Sequence, residues 1–380
     1  MELISVIVPL FRGEKYISEI IRQVKSSYGR LDEDYKIELI FVNDDPEKKI
    51  SKDFSRIDIK IFLYNLDYNH GIHGARLEGL NKSNGDYILF LDQDDRISSD
   101  YFRDQLDKLG DADAVICQAI NENRYYYDNR RPFHKVLSKE YMLNNGNFIV
   151  SPGQVLLRRD AIPLVWRNCV MENNGADDWL LWLCMYGEDA KIQLNQQVLY
   201  EHIVNGKNVS WNTAKMMKSE SEMLSILRNN NVLTDDDMRK LEKQQWEIAL
   251  ARVRTMDLLK EKNYVYDKWL NILRNGIRFE NFFIPKGIKN IAIYGYSDVG
   301  RQIFKELHGS SVKAAYFIDQ NARYIISEDT IYSPDEDLPG VDLIVNSLMD
   351  DMVPAVYQLG KSMGVGVITV KKIIEGMQRI

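Results

Sequence analysis

Residues 69–95 read NHGIHGARLEGLNKSNGDYILFLDQDD, and the change of period inside this stretch decides the fold. GARLEGLNKS (74–83) carries its apolar residues at helical spacing, whereas YILFL (87–91) is a short continuous apolar run of the strand type. Three carboxylates, Asp92, Asp94 and Asp95, follow that run at once. A helix that turns tightly into a buried strand with charge at its far end is a unit of an α/β sheet. Ligand groups in such sheets stand at the carboxyl ends of the strands.

The same alternation extends outward. LISVIVPL (3–10), IELIFVN (37–43), IKIFLY (59–64) and AVICQA (114–119) read as strands, and residues 16–27 carry Ile17, Ile20, Ile21 and Val24 at helical spacing. The expectation is a parallel α/β sheet over residues 1–212. From 213 to 284 glycine nearly vanishes and charged residues interleave with apolar ones, which predicts a helical connector. NFFIPKG (281–287) then punctuates the chain before a smaller α/β unit over 285–380.

Composition sets the class. The 380 residues have the apolar and charged fractions of an ordinary globular protein, and a formal net charge of −7 gives no general attraction for nucleic acid or anionic lipid. The N-terminal MELISVIVPLF has an acidic residue where a signal peptide carries positive charge, and no apolar run approaches the ~20 residues of a membrane span. Cys117, Cys169 and Cys184 are scattered without a metal or disulfide spacing. A reducing, cytoplasmic setting is expected. The stretch KMMKSESEMLSILR (215–228) offers peripheral contact with the inner face of a membrane as the alternative to a buried helix face.

Four features carry chemistry. Asp92, Asp94 and Asp95 repel one another unless a cation intervenes, and oxygen-only ligands suit Mg²⁺ or Mn²⁺ completed by water and a diphosphate. The alternative is a solvated acidic turn capping the next helix. Asp44 and Asp45 end another strand, where a carboxylate can accept the ring N–H of a nucleobase or close an Asx turn. Arg76, on the helix before the acidic strand, could reach a diphosphate. Asp177 and Asp178 open the apolar run GADDWLLWL (175–183), either as residues favoured by the helix dipole or as a general base for a hydroxyl.

In this order the features resemble the family 2 glycosyltransferases of the GT-A fold. The matching pieces, over about residues 3–212, are SVIVPLFRGEKYI, ELIFVNDD, the 69–95 block, GADDWLLWL and YEHIVNGKNVSWN. The resemblance implies transfer of a sugar from a UDP, dTDP or GDP donor to a hydroxyl of a saccharide or lipid-linked acceptor, with inversion. It implies a nucleotide pocket of Pro9, Phe11, Glu14 and Asp44, with Asp44 on the base. Asp92 and Asp94 form a D-x-D, with Asp92 on ribose or metal and Asp94 as the direct metal ligand. Asp178 takes the position of the catalytic base, with Asp177 where the family often has Glu. Arg12 stands in place of the usual Asn, Asp45-Pro46 in place of Gly-Ser, and His202 and Asn205 depart from a Tyr-Arg-x-His pattern. A partly buried structural role is expected for His202.

The second unit opens IAIYGYSDVG (291–300), similar to the start of a Rossmann unit, with Gly295 and Gly300 at the outer positions and Asp319 after the next strand. Ser297 replaces the glycine that lets a pyrophosphate approach, so packing, homo-oligomer assembly or partner docking is expected there ahead of cofactor binding. A nucleotidyltransferase is the main alternative for the first unit, but PLFRGEKY lacks the glycine-rich loop such enzymes place after the first strand. An NAD-linked enzyme acting through the second unit, and a scaffold, complete the alternatives.

Overall fold

The computed structural model describes residues 1–121, 124–128, 132–136, 138–204, 212–348 and 353–377, with side chains described outside 252–258 and 261. The chain forms two compact units, residues 1–249 and 250–380.

The first unit is built from β1 (Glu2–Leu10), α1 (Ile17–Tyr28), β2 (Tyr35–Asn43), β3 (Lys60–Asn65), α2 (Gly71–Lys82), β4 (Tyr87–Phe90), β5 (Arg96–Ile97), α3 (Tyr101–Leu109) and β6 (Ala114–Asn121). It continues with β7 (Arg124–Tyr125), α4 (Lys139–Asn145), β8 (Val155–Arg158), α5 (Leu164–Asn168), α6 (Asp177–Gly187), β9 (Ile192–His202), α7 (Thr213–Asn229) and the residues up to 249 of α8 (Asp235–Arg274). The sheet order is β3-β2-β1-β4-β8-β6-β9-β5, with β7 beside β6. β3, β2, β1 and β4 run parallel, as the helix–strand alternation predicts. Beyond β4 the sheet is mixed, because β8 enters antiparallel to both β4 and β6. No sequence period marks that reversal, since β8 is only Val155–Arg158.

The pleat of β1 sorts its side chains. Val6, Val8 and Leu10 join one core layer, and Ile7 joins the layer on the opposite face with Ile40, Val42 and Phe90. Two glycines permit close approach on this second face. A Cβ on Gly79 of α2 would lie 2.3 Å from Ile7 Cγ2, and one on Gly85 would lie 2.4 Å from Ser5 Oγ. Gly85 N–H donates to that hydroxyl at 2.8 Å, and the hydroxyl donates to buried Glu38 at 2.7 Å. The turn between α2 and β4 is thereby tied to β1 and β2, which fixes where β4 ends.

α6 is apolar on all sides because it is buried on all sides: Trp179 through Met185 are at most 3% exposed. Its neighbours are α4, α5 and α7. Met223 and Leu227 of α7 and Met238 and Leu241 of α8 belong to the same core. The 213–284 stretch, expected as a connector, is helical through α7 and α8, and its residues up to 249 are part of the first unit. Val253 and Leu258, two of the apolar residues interleaved in that stretch, lie outside the described side chains.

The second unit contains α9 (Glu280–Phe283), β10 (Asn290–Tyr294), α10 (Asp298–Leu307), β11 (Lys313–Ile318), β12 (Ile331–Tyr332), β13 (Leu343–Asn346), α11 (Pro354–Met363), β14 (Gly366–Thr369) and α12 (Val370–Met377). Its sheet is parallel throughout, in the order β12-β11-β10-β13-β14. Ile293, Phe317 and Val345 face one apolar layer, and Ala292, Tyr294, Tyr316 and Ile344 face the other. Covering both faces of a parallel sheet in this way is the doubly wound, Rossmann-like arrangement.

Candidate active site

The strand order 3-2-1-4 reverses direction at β1, so a crevice opens at the carboxyl ends of β1 and β4. Parallel register brings Leu10 opposite Asn43 and Ile7 opposite Phe90. Phe11, Asp44 and Asp92 therefore emerge along one edge.

The opening turn is fastened by the middle residue of the D-x-D. Phe11 N–H donates to Gln93 Oε1 at 3.1 Å, and Gln93 Nε2 donates to Phe11 O at 3.3 Å. Gly13 packs against the same side chain, and a Cβ there would lie 1.9 Å from Gln93 Oε1. Arg12 adopts φ +52° and sits over the Phe11 ring at 5.3 Å, leaving Phe11 46% exposed. Pro9 is buried in β1. Glu14 pairs with Lys48 at 2.9 Å, which lowers its pKa.

Asp44 is buried, with Oδ1 accepting His70 N–H at 2.6 Å, and Asn69 Nδ2 donates to its carbonyl at 3.0 Å. Burial raises its pKa, against the backbone N–H of His70. Asp45 is also buried; it caps Glu47 N–H at 3.1 Å and faces Arg12 Nε at 3.7 Å. The Asp45-Pro46 departure is thus a locally closed turn.

The three carboxylates after β4 have separate surroundings. Asp92 accepts Arg76 Nη2 on one oxygen at 2.6 Å and Ser151 Oγ on the other at 2.8 Å. Asp95 is buried and accepts Tyr200 Oη and, at 2.8 Å, Ile203 N–H, with His202 Nδ1 at 3.0 Å. It fastens the end of β9 to the acidic turn. Burial works against protonation of His202, but Asp95 outweighs it and the pKa is raised. Asp94 is partly exposed. Asn205 lies outside the described residues.

Arg76 is buried and bonds Asp177 through Nη1 and Asp92 through Nη2. Burial disfavours its charge, but Asp177, Asp92 and Asp178 together raise its pKa. In this structure the guanidinium, expected on a diphosphate, joins the acidic strand end to the start of α6. Asp177 is taken up by that pair. Asp178, one residue on, is held by Trp179 N–H at 2.7 Å on Oδ1 and by Asn147 Nδ2 at 3.2 Å on Oδ2. Burial, then the neighbouring Asp177, pushes its pKa up to about 7, with Arg76 opposing.

Several supports were not legible in the sequence. His73 is buried, accepts Met171 N–H on Nδ1 at 3.0 Å and so donates from Nε2 to Trp166 O at 3.1 Å; burial lowers its pKa. Glu222 of α7 accepts the N–H groups of Glu172 and Asn173 at 2.7 and 2.9 Å, and Ser219 Oγ accepts Ala176 N–H at 2.9 Å. Asn174 Oδ1 accepts Ile72 N–H at 3.0 Å. The loop that delivers Asp177 and Asp178 is therefore set by α7 and by the start of α2. Partners so far apart in sequence leave no local signal.

Among the described residues no three acidic, histidine or cysteine side chains converge as a cage for a metal ion. Of the two carboxylates expected on a metal, Asp92 is bonded on both oxygens and Asp94 is partly exposed.

In the second unit, Asp319 accepts Tyr296 N–H and Asn321 N–H, each at 2.9 Å. Ser297 Oγ accepts Gly300 N–H at 3.1 Å and meets Ser347 Oγ at 3.0 Å. A Cβ on Gly295, at φ +98°, would lie 2.8 Å from Leu348 Cδ2. The first turn of this Rossmann-like unit is closed by its own side chains where a dinucleotide would need open backbone.

Residues 5–164 match the family model described as glycosyl transferase family 2. Among curated proteins, the chain is 26% identical over 338 residues to glycosyltransferase GlyA of Streptococcus pneumoniae, covering 82% of this chain and 47% of that protein. It is 29% identical over 122 residues to a Campylobacter jejuni GalNAc(5)-diNAcBac-PP-undecaprenol beta-1,3-glucosyltransferase, covering 30% of this chain and 37% of the other. The chain thus spans less than half the length of these relatives. Among solved structures, S. aureus TarS 1–349 in complex with UDP is similar at 20% identity and a TM-score of 0.45, over 64% of this chain and 70% of that one.

Proposed function

The N-terminal unit belongs to glycosyltransferase family 2, and from that premise we propose that the protein transfers a sugar from a nucleoside diphosphate donor to a hydroxyl acceptor, with inversion and with help from a divalent cation. The observation that carries the reading is Asp178: a carboxylate held on both oxygens at the crevice, with a pKa near neutrality, beside a strand end that carries a D-x-D. In the transfer, the acceptor oxygen bonds to the anomeric carbon as the bond to the diphosphate breaks. The electron pair of that bond leaves with the nucleoside diphosphate. The hydroxyl proton passes to the Asp178 carboxylate. Base assistance of this kind contributes ~10²–10⁴ in rate, and attack from the face opposite the leaving group parallels the inverting glycosidases.

Asp177 and Arg76 act here as supports. Their ion pair, continued to Asp92, holds the base helix and the donor-side strand end in one geometry. Asp44 and the exposed face of Phe11 would receive the nucleobase, as the resemblance implies. A bound Mg²⁺ or Mn²⁺ would offset charge on the leaving diphosphate, with Asp94 and Asp92 as its ligands. The undecaprenol-linked substrate named for the Campylobacter relative supports a role in making a surface polysaccharide or glycoconjugate. The test is release of UDP, dTDP or GDP from a panel of nucleotide sugars with Mn²⁺ and saccharide acceptors. Full activity in both Asp94→Ala and Asp178→Asn would overturn the assignments.

A further inference from the structure

Three residues separate Asn147 from Ser151, yet each bonds a different arm of the site: Asn147 Nδ2 donates to Asp178 Oδ2 at 3.2 Å, and Ser151 Oγ donates to Asp92 Oδ2 at 2.8 Å. The start of this segment is itself fixed. Gly146 has φ +87°, and a Cβ there would lie 2.9 Å from Gln244 Nε2 and 3.2 Å from Ile248 Cδ1 of α8. Asn147 Oδ1 accepts Ile149 N–H at 3.0 Å. That bond settles the orientation of the amide, because only an oxygen can receive a backbone N–H; the nitrogen must then face Asp178.

From this geometry we infer that Asn147 is a positioning residue for the base, holding the Asp178 carboxylate in one rotamer and in its anionic form. The inference rests on Asp178 acting as base. The groups around the carboxylate make a neutral donor necessary. Asp177 on the same helix and Asp92 at the end of β4 oppose a second negative charge, while Arg76 of α2, which favours it, is bonded to those two acids and not to Asp178. Trp179 N–H holds Oδ1, which leaves Asn147 as the side-chain donor to Asp178 among the described residues. A hydrogen bond to an ionised acceptor stabilises the anion and so keeps the base competent near neutral pH.

The test is a pH titration of the full chain with ¹³C-labelled aspartate, the Asp178 carboxyl signal being identified by its loss in Asp178→Asn. Asn147→Leu, which keeps the size and removes the donor, is expected to raise the Asp178 midpoint by about one to two pH units. It should move the pH limb of nucleoside diphosphate release, measured with UDP-glucose, UDP-N-acetylglucosamine and GDP-mannose, by the same amount. Asn147→Ser, whose hydroxyl can donate, should recover part of both shifts. Asn147→Ala, which removes the donor without adding a charge, serves if the leucine variant does not fold. A folded variant with an unmoved midpoint, or a midpoint that moves while the rate limb does not, overturns the proposal. Absence of nucleoside diphosphate release from the wild type on every donor would instead overturn the glycosyltransfer reading, and the carboxyl titration separates the two failures.

Discussion

Asp177 and Asp178 are adjacent in the chain but differently bonded: Asp177 is closed in an ion pair with Arg76, while among the described residues Asp178 is bonded by the Asn147 amide and the Trp179 N–H. The division follows from the helix. Consecutive residues in the first turn of α6 point about 100° apart, so one reaches back to α2 and the other faces the crevice.

Asp178→Asn is expected to lower turnover by ~10²–10⁴ while leaving nucleotide affinity unchanged. With the base pKa near 7, wild-type turnover should rise with pH through that value as the carboxylate deprotonates. A pH–rate profile that is flat from 5 to 8 would contradict the assignment.

The same substitution should stabilise the fold in alkaline buffer. A carboxyl whose folded pKa is raised contributes stability that is full below its unfolded pKa, near 4, and is lost as pH rises through 7. A rise of about three pH units corresponds to at most ~4 kcal/mol. Asp178→Asn should therefore melt higher than wild type at pH 8, and the difference should shrink steadily toward pH 4.

Arg76→Met would leave Asp177 buried without its cation. Removing one partner of a buried pair typically costs ~3–5 kcal/mol, so urea unfolding should show a lowered midpoint. Arg76→Lys should recover only part of it, because one ammonium cannot match the two directions of the guanidinium.

The carboxylates after β4 should separate in their phenotypes. Asp94→Ala is expected to abolish chelator-sensitive activity and the response to Mn²⁺. Asp95→Ala, which strips partners from Tyr200, His202 and Ile203, should lower the melting temperature by several degrees. Parallel thermal melts and Mn²⁺ titrations of the two variants distinguish them.

Gly13→Ala should weaken nucleoside diphosphate binding, since its methyl group would displace the Gln93 amide from Phe11. Combining it with Gln93→Ala should cost less than the sum of the single changes, which isothermal titration would read as a positive coupling.

The sequence by itself determined the parallel half of the sheet, the crevice edge and the identity of its acids. These are local signals: a period of two or of 3.6, and carboxylates at strand ends. The family resemblance came from the same residues, in the same order. Which acids share a cation is a matter of tertiary structure. Asp92 and Asp177 are bridged by Arg76, and Asp95 is bonded by Tyr200 and His202, across separations of up to 107 residues, whereas Asp178 is bonded by the Asn147 amide and the Trp179 N–H. Charge pairing depends on which side chains share a small volume, and burial sets its strength. Neither is written in the spacing of one segment.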